Sequence, residues 1–166
     1  TLLVTLDVES LYTNIPHDGG IQAIDFLHEF LSDKKPTIEC LKELTKLVLT
    51  KNYFMYKDDY FLQIKGTAMG STMAPNYANL YMGFFEHEYV FNPTVNSYLS
   101  NILLWRRYID DIFMWCGSEN DLLVFQQFLN HTSEHLKFTI EFNPSQVSFL
   151  DLLIIKDGSK LVTDLY

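Results

Sequence analysis

The chain has few basic residues for its length. Its 166 residues include 12 Lys and Arg against 21 Asp and Glu, which gives a formal net charge of −9 at pH 7. The only arginines are the adjacent Arg106 and Arg107. A protein that binds a nucleic-acid backbone unaided is normally basic, because it must neutralise phosphates. The charge therefore counts against free-standing nucleic-acid binding. It is compatible with a metal-binding core whose basic parts lie elsewhere.

Cysteine and long apolar runs are also scarce. The two cysteines, Cys40 and Cys116, lie far apart and lack the spacing of metal ligands. We therefore expect reduced thiols in an intracellular protein. There is no signal peptide, and no apolar run is long enough to cross a bilayer, so we expect no membrane association. Both ends of the sequence fall within strand-like segments, and we interpret them as cut from a longer protein.

The apolar residues that are present follow helix and strand periodicities. The run from Leu2 to Val8 predicts a central strand buried on both faces. Asp18 and Thr37 are placed to cap two helices, and Ser118 a later one. We predict helices over residues 20–31, 38–51, 74–91 and 119–130, and strands over 2–8, 53–56, 60–64, 138–142, 147–150, 152–155 and 161–165, with a hairpin around 105–115. This order predicts an α+β fold of residues 1–166, with helices on one side of a mainly antiparallel sheet.

The hairpin around residues 105–115 carries the first candidate site. Asp110 and Asp111 lie between two apolar, strand-like runs, and Asp-Asp suits a tight turn. We therefore expect both carboxylates at the hairpin tip. Two neighbouring anions repel each other unless a cation lies between them, and Mg²⁺ is the hard ion that suits such oxygen ligands. A solvated turn is the alternative, and it is our interpretation of the second Asp-Asp pair, Asp58-Asp59.

Two other segments could complete a site with this hairpin. Asp7 lies at the end of a buried strand, where an unpaired charge would be costly. It is either a strand-end cap or salt-bridge partner, or a third metal-binding carboxylate. The segment 66–75 is a glycine-bearing loop that leads into a helix, with Pro75 in the first turn. Its two glycines would let a phosphate or base approach the backbone, although an ordinary turn is the simpler explanation.

Three sequence motifs follow one another along the chain: Asp7-x-x-x-x-Tyr12, Gly66-Thr67-Ala68-Met69-Gly70-x-x-x-Ala74-Pro75-x-x-Ala78-Asn79-Leu80-Tyr81 and Tyr108-Ile109-Asp110-Asp111. In order and spacing they resemble the motifs of the palm of reverse transcriptases. The sequences of residues 6–16 and of Phe149-Leu150-Asp151 resemble those of Penelope-like retroelement polymerases, and the resemblance covers essentially the whole chain. It implies a polymerase palm with partial fingers.

The resemblance also implies roles for individual residues. Asp7, Asp110 and Asp111 would be catalytic and would hold two Mg²⁺ ions, or Mn²⁺, with a further oxygen from the backbone of Val8. The ions would activate the primer 3′-hydroxyl and stabilise the transition state. Tyr12 would exclude a ribose 2′-hydroxyl, unless it is a core aromatic. Many reverse transcriptases have Gln where Met69 stands. The implied nucleotide-binding residues are Tyr12, Met69, Gly70, Ala74 and Pro75.

The implied function is RNA-directed DNA polymerisation of a retrotransposon. Its partners would be an RNA template, a DNA primer and deoxynucleoside triphosphates, in the nucleus. We interpret the chain as lacking upstream fingers, a downstream thumb and a GIY-YIG endonuclease segment, which would explain its acidity. Lys137 could donate a proton to pyrophosphate, or be a surface lysine. An inactive remnant with a binding or structural role is the alternative. A metal-dependent nuclease would not need Tyr12 or the glycine loop.

Overall fold

The computed structural model describes residues 1–165. The chain folds into helices and antiparallel sheets that form two compact units. One unit contains Thr1–Glu9 and the chain from Glu88 onward, and the other contains Ser10–His87. Composition did not indicate this division, since no linker-like segment interrupts the chain. Within the described residues, no helix has the length and apolar character needed to cross a bilayer.

The observed elements follow the predicted order. A π-helical segment, Glu86–Val90, extends the fourth helix close to its predicted end, and a short 3₁₀ segment spans Leu99–Asn101. The strands are β1 Leu2–Val8, β2 Tyr53–Tyr56, β3 Asp59–Leu62, β4 Ile102–Tyr108, β5 Asp111–Cys116, β6 Phe138–Asn143, β7 Gln146–Phe149, β8 Leu152–Asp157 and β9 Lys160–Leu165. The helices are α1 Leu11–Asn14, α2 His17–Phe30, α3 Ile38–Thr50, α4 Ala74–Phe85 and α5 Glu119–Thr132.

The first unit is built on a four-stranded antiparallel sheet of order β4-β5-β1-β6. The apolar strand β1 lies inside it, as its composition predicts. One face, which includes Val4 and Met114, is covered by α5, because Trp105 on this face packs edge-on against Phe125 of that helix. The helix is capped as predicted by Ser118, whose hydroxyl accepts a hydrogen bond from the Asp121 amide.

The opposite face of the sheet is covered over only part of its area. Strands β7, β8 and β9 form a second antiparallel sheet. Leu3 and Phe113 of the first sheet form a buried cluster with Val147 and Ile154 of the second. Further along β1 the same face is open, and the side chain of Asp7 is exposed there. The expectation of a charge buried at the strand end was therefore wrong for Asp7, because the second sheet does not cover it.

The second unit combines four helices with the β2–β3 hairpin. Helix α2 packs against both α3 and α4. Thr37 caps α3 as predicted, since its hydroxyl accepts from the Cys40 amide. The spacing of Ile38, Leu41, Leu44 and Val48 in the sequence predicts an apolar stripe on α3. This stripe is not a core face, because Leu44 is 55% exposed and Val48 45% exposed. Helix α2 begins at His17 with Pro16 at its N-cap, two residues earlier than the Asp18 cap predicted.

The contact between α2 and α4 depends on a glycine. A Cβ added to Gly20 would collide with the hydroxyl and ring of Tyr77, whose side chain is buried. Gly83, by contrast, has no atom within 4 Å of the position a Cβ would take. A small residue is therefore required where the two helices approach, and not at the second glycine.

We expect Gly20→Ala to lower the free energy of unfolding by about 1–3 kcal/mol, since the ring must move in a packed core. Gly83→Ala should be neutral or stabilising by up to about 1 kcal/mol, because alanine favours helix. Urea denaturation followed by circular dichroism measures both. Equal midpoints for the two variants would contradict this packing.

Candidate active site

The pairing of β1 with β5 places two carboxylates opposite each other. The register runs from Leu2 opposite Cys116 to Leu6 opposite Ile112. One further step in the same register sets Asp7 opposite Asp111. Alternation of side chains puts both on the face that α5 does not cover. Residues that are far apart in sequence thus become direct cross-strand neighbours.

Like charges directly opposite each other on a sheet are destabilising. Although the Asp7 side chain is exposed, partial desolvation by neighbouring atoms, followed by the charges of Asp110, Asp111 and Glu9, raises the pKa of Asp7 above its ordinary value of 3.8. Burial, followed by the charge of Asp110, raises the pKa of Asp111 in the same direction. Asp110 and Asp111 therefore lie close enough to Asp7 for their charges to oppose its ionisation, and the charge of Asp110 likewise opposes that of Asp111.

Asp110 occupies the turn of the β4–β5 hairpin. Tyr108 pairs with Asp111, so the turn consists of Ile109 and Asp110. This corrects the prediction that both carboxylates lie at the tip, because Asp111 is the first residue of β5. The two carboxylates therefore have different settings, one on the turn and one on a sheet face. The Arg107 guanidinium donates to the Ile109 carbonyl at 3.0 Å and holds the turn.

The turn contains a strained residue. Ile109 has φ 57°, a left-handed conformation that β-branched residues rarely adopt and that costs on the order of 1–3 kcal/mol. The β2–β3 hairpin has the same arrangement, with Lys57 at φ 56° followed by Asp58. Turn geometry therefore does not distinguish the two hairpins. The neighbouring strand that carries Asp7 does.

A polar cleft adjoins the carboxylates. It has a volume of about 240 Å³ and lies within the first unit. Phe149 and Leu150, from the end of β7 and the following turn, form one part of its wall. The cleft gives a ligand access to the open sheet face beside the paired carboxylates. Its polar lining residues are Thr5, Asp7, Asp111, Thr139, Glu141 and Ser148.

The carboxylates offer the oxygen donors that Mg²⁺ requires, and their mutual repulsion would be relieved by a cation. Among residues 1–165, however, no three His, Cys, Asp or Glu side chains are grouped closely enough to form a ready metal site. The donor chemistry of Asp7, Asp110 and Asp111 fits the ion, and their coordination stays a prediction. Val8, predicted to add a backbone oxygen, is buried and pairs with Phe138.

The sequence reasoning missed Glu9, a fourth acidic group near Asp7. Both Glu9 carboxylate oxygens accept from Lys137 Nζ, at 3.0 and 2.9 Å. The backbone joins the same two residues, since the Glu9 amide donates to the Lys137 carbonyl at 2.9 Å. Lys137 is therefore engaged in an exposed ion pair, which fits a surface lysine. No local pattern signals a pair separated by 128 positions.

The predicted nucleotide-binding residues all lie in the second unit. Tyr12 is half-buried in the single turn of α1. Met69 is 71% exposed, and the neighbouring Gly70 is exposed as well. Ala74 is fully buried as the first residue of α4, where it offers no surface, whereas Pro75 in the first turn is exposed.

Gly66 and Gly70, the two glycines of the loop before α4, differ in backbone conformation and surroundings. Gly66 has φ +71° and is packed against the backbone of Tyr12 and Thr13. Gly70 has no atom within 4 Å of the place where a Cβ would lie, so the fold itself leaves this position open. The ordinary-turn explanation therefore accounts for Gly66 and not for Gly70.

We expect Asp7→Asn to raise the melting temperature at pH 7 in EDTA. A carboxyl whose pKa is raised on folding binds more protons in the folded state between pH 3.8 and the raised value, so stability falls as the pH rises through that window. The gain should therefore shrink below about pH 4, where the carboxyls are protonated in both states. Asp58→Asn, in the matching β2–β3 turn, is the control and should shift the melting temperature far less. A lower melting temperature for Asp7→Asn at pH 7 would contradict the repulsion.

Comparison with known proteins gives the family to which the chain belongs. Residues 1–150 match the family model described as reverse transcriptase (RNA-dependent DNA polymerase). A search of curated proteins found no match. The matched region includes Asp7, Asp110 and Asp111, as well as the loop from Gly66 to Pro75.

Solved structures show the same fold. The chain is similar to apo telomerase from Candida tropicalis, with a TM-score of 0.74 and 9% identity over 98% of this chain and 32% of that one. It is also similar to telomerase from Candida albicans in complex with a TWJ fragment of telomeric RNA, with a TM-score of 0.71 and 9% identity over 98% and 30%. A third similar structure is the BmCPV RNA-dependent RNA polymerase at its elongation state, with a TM-score of 0.66. The identity is 13%, over 93% of this chain and 16% of that one.

The chain spans about a third or less of the length of these polymerases. At such low identities the likeness is one of fold, and it confirms the predicted α+β architecture of a polymerase domain. The family match covers most of the sequence and carries the functional class. The chain belongs to the reverse transcriptase (RNA-dependent DNA polymerase) family.

Proposed function

We propose that this chain is the catalytic core of an RNA-directed DNA polymerase of the Penelope-like type. The observation that carries the proposal is the pairing of β1 with β5, which sets Asp7 opposite Asp111 beside Asp110 and an open polar cleft. The Penelope-like assignment is supported by residues 6–16 and by Phe149-Leu150-Asp151, of which Phe149 and Leu150 line the cleft.

The carboxylates would hold divalent ions at the point of nucleotidyl transfer. Bound Mg²⁺ would supply Lewis-acid activation of the primer hydroxyl and charge stabilisation of the transferring phosphate. Asp7 and Asp111 would bind from the sheet face, and Asp110 from the turn. Their raised pKa values mean that ion binding and proton release are coupled at Asp7 and Asp111.

The incoming nucleotide would meet the loop before α4. Gly70 leaves open space for a phosphate or base to approach the backbone, and the exposed Met69 offers an apolar contact where a polar glutamine is common in the family. Pro75 would fix the helix start beneath the loop, supported by the buried Ala74. Tyr12 would exclude the ribose 2′-hydroxyl by the bulk of its ring.

The template would be RNA, and the primer DNA. The Candida albicans telomerase in the comparison contains an RNA fragment, which supports an RNA partner for this fold. The net charge of −9 makes strong duplex binding by these residues alone unfavourable. We propose that basic fingers and thumb segments outside this sequence hold the duplex.

We expect Asp110→Asn to abolish primer extension, with a loss of at least about 10³-fold, because a metal-binding carboxylate acts in the transition state. Asp58→Asn should retain activity, since Asp58 occupies the same position in a matching two-residue turn with no catalytic strand beside it. The assay is extension of a DNA primer on an RNA template with Mg²⁺, in the full-length protein that carries these residues.

The same assay separates this function from its alternative. An inactive remnant would extend no primer, whether or not Asp110 is intact, at any Mg²⁺ or Mn²⁺ concentration. Equal extension by the wild type and Asp110→Asn would remove the carboxylate from catalysis. Either result would overturn the proposal.

Tyr12→Ala should admit ribonucleotides while it keeps Mg²⁺-dependent extension with deoxynucleotides. Tyr12→Phe should behave like the wild type, because the ring and not its hydroxyl excludes the 2′-hydroxyl. The measurement is competitive extension with the two kinds of nucleotide. If Tyr12 is instead a core residue, truncation should cost about 3–5 kcal/mol of stability and reduce all incorporation alike. An unchanged selectivity ratio with a lower melting temperature would assign it to the core.

A further inference from the structure

Tyr12 lies in helix α1, which is too short to be stable without support from other parts of the chain. Helix α1 has only four residues, and isolated single turns are not stable, because nucleation fixes several dihedrals for one hydrogen bond. The residue before it, Ser10, has φ 51° and makes no side-chain cap. A side chain that discriminates one hydroxyl group must nevertheless be placed to within a fraction of an ångström. Its support must come from elsewhere in the chain.

The support comes from the start of the glycine loop, about 50 residues later. Five residues take part, and we name this set the tyrosine clamp: Tyr12, Thr13, His17, Gly66 and Thr67. All five lie in the second unit.

The first contact of the tyrosine clamp is steric. Gly66 is buried at φ +71°, and a Cβ there would lie 2.5 Å from the Tyr12 carbonyl oxygen and 2.6 Å from Thr13 Cα. Both the conformation and the crowding exclude any other residue. The loop backbone therefore rests directly on the backbone of α1.

The second and third contacts are hydrogen bonds. The amide of Thr67, a buried residue, donates to the Tyr12 carbonyl at 2.7 Å. His17 Nε2 donates to the Gly66 carbonyl at 2.9 Å, so the ring carries its proton on Nε2. A carbonyl oxygen only accepts, so the imidazole N–H is the donor of this bond. His17 thus ties the loop to the first residue of α2, while the loop ties down Tyr12.

We propose that His17 is a positioning residue for sugar selection, acting through Gly66 and Thr67 on the backbone of Tyr12. This inference rests on the proposed role of Tyr12 as the excluding side chain. When the imidazole is lost, the loop can lift from α1, and the Tyr12 ring gains freedom to move away from a 2′-hydroxyl. The tyrosine clamp does not include the proposed metal-binding carboxylates, so His17→Ala largely retains deoxynucleotide incorporation.

The test compares His17→Ala, His17→Gln and His135→Ala in the full-length protein. A glutamine amide can place an N–H near the position of Nε2, so His17→Gln is the conservative rescue. His135 is exposed, and its substitution is the control. Two quantities are measured: hydrogen exchange of the Thr67 amide, and the selectivity for deoxynucleotides over ribonucleotides. Tyr12→Ala and the double variant Tyr12→Ala/His17→Ala complete a cycle.

We expect His17→Ala to speed exchange of the Thr67 amide and to lower selectivity by about three- to tenfold, as the loss of one hydrogen bond allows. His17→Gln should largely restore both the slow exchange of the Thr67 amide and the selectivity for deoxynucleotides. His135→Ala should change neither of these two quantities. In the Tyr12→Ala background, His17→Ala should lower selectivity no further, because the side chain it positions is absent.

Three outcomes would overturn the inference, and the measured quantities distinguish them. If Tyr12→Ala lowers selectivity and His17→Ala does not, the excluding role of Tyr12 stands and the positioning role of His17 falls. If neither variant changes selectivity, both fall together. A uniform drop in incorporation of both nucleotides with an unchanged ratio would make His17 a purely structural residue.

Discussion

The pairing of β1 with β5 is the constraint on which the candidate site of the first unit depends, because it sets carboxylates of like charge on neighbouring antiparallel strands. Strand β1 is apolar enough to occupy the inside of the sheet, and that position brings β5 alongside it. The register then sets Asp7 opposite Asp111 on a face that the second sheet leaves open. The fold bears this cost at neutral pH. Such a cost would be relieved by the cation binding that we propose for these carboxylates.

The second unit contains short, irregular segments, whose positions are fixed by contacts between them. Helix α1 and the loop before α4 have little regular hydrogen bonding of their own. Gly66 lets their backbones touch, and the hydrogen bonds from Thr67 and His17 close the contact. Gly70, a few residues later, is left open. One loop thus combines a packed end that fixes Tyr12 with a free end that a ligand can reach.

Features that depend on neighbouring residues were predicted well from the sequence. Features that depend on residues far apart in the sequence were predicted less well. The caps at Thr37 and Ser118 depend on neighbouring residues, and both were confirmed. The turn at Ile109-Asp110 was placed one residue off, because strand register is set by the partner strand. The exposure of α3 could not be predicted from its apolar stripe, because the spacing of apolar residues does not show which other element, if any, packs against them. Glu9 and His17 were missed, because their partners lie 128 and 49 positions away.

The central claim is that Asp7, Asp110 and Asp111 bind a divalent ion at the junction of β1 and β5. Anomalous diffraction from a crystal of the protein grown with Mn²⁺ and a non-hydrolysable deoxynucleoside triphosphate tests it most directly. The account predicts an anomalous peak within about 2.5 Å of carboxylate oxygens from both Asp7 and Asp111, with Asp110 turned toward it. A nucleotide bound with its Mn²⁺ elsewhere, and no peak between these two strands, would contradict it.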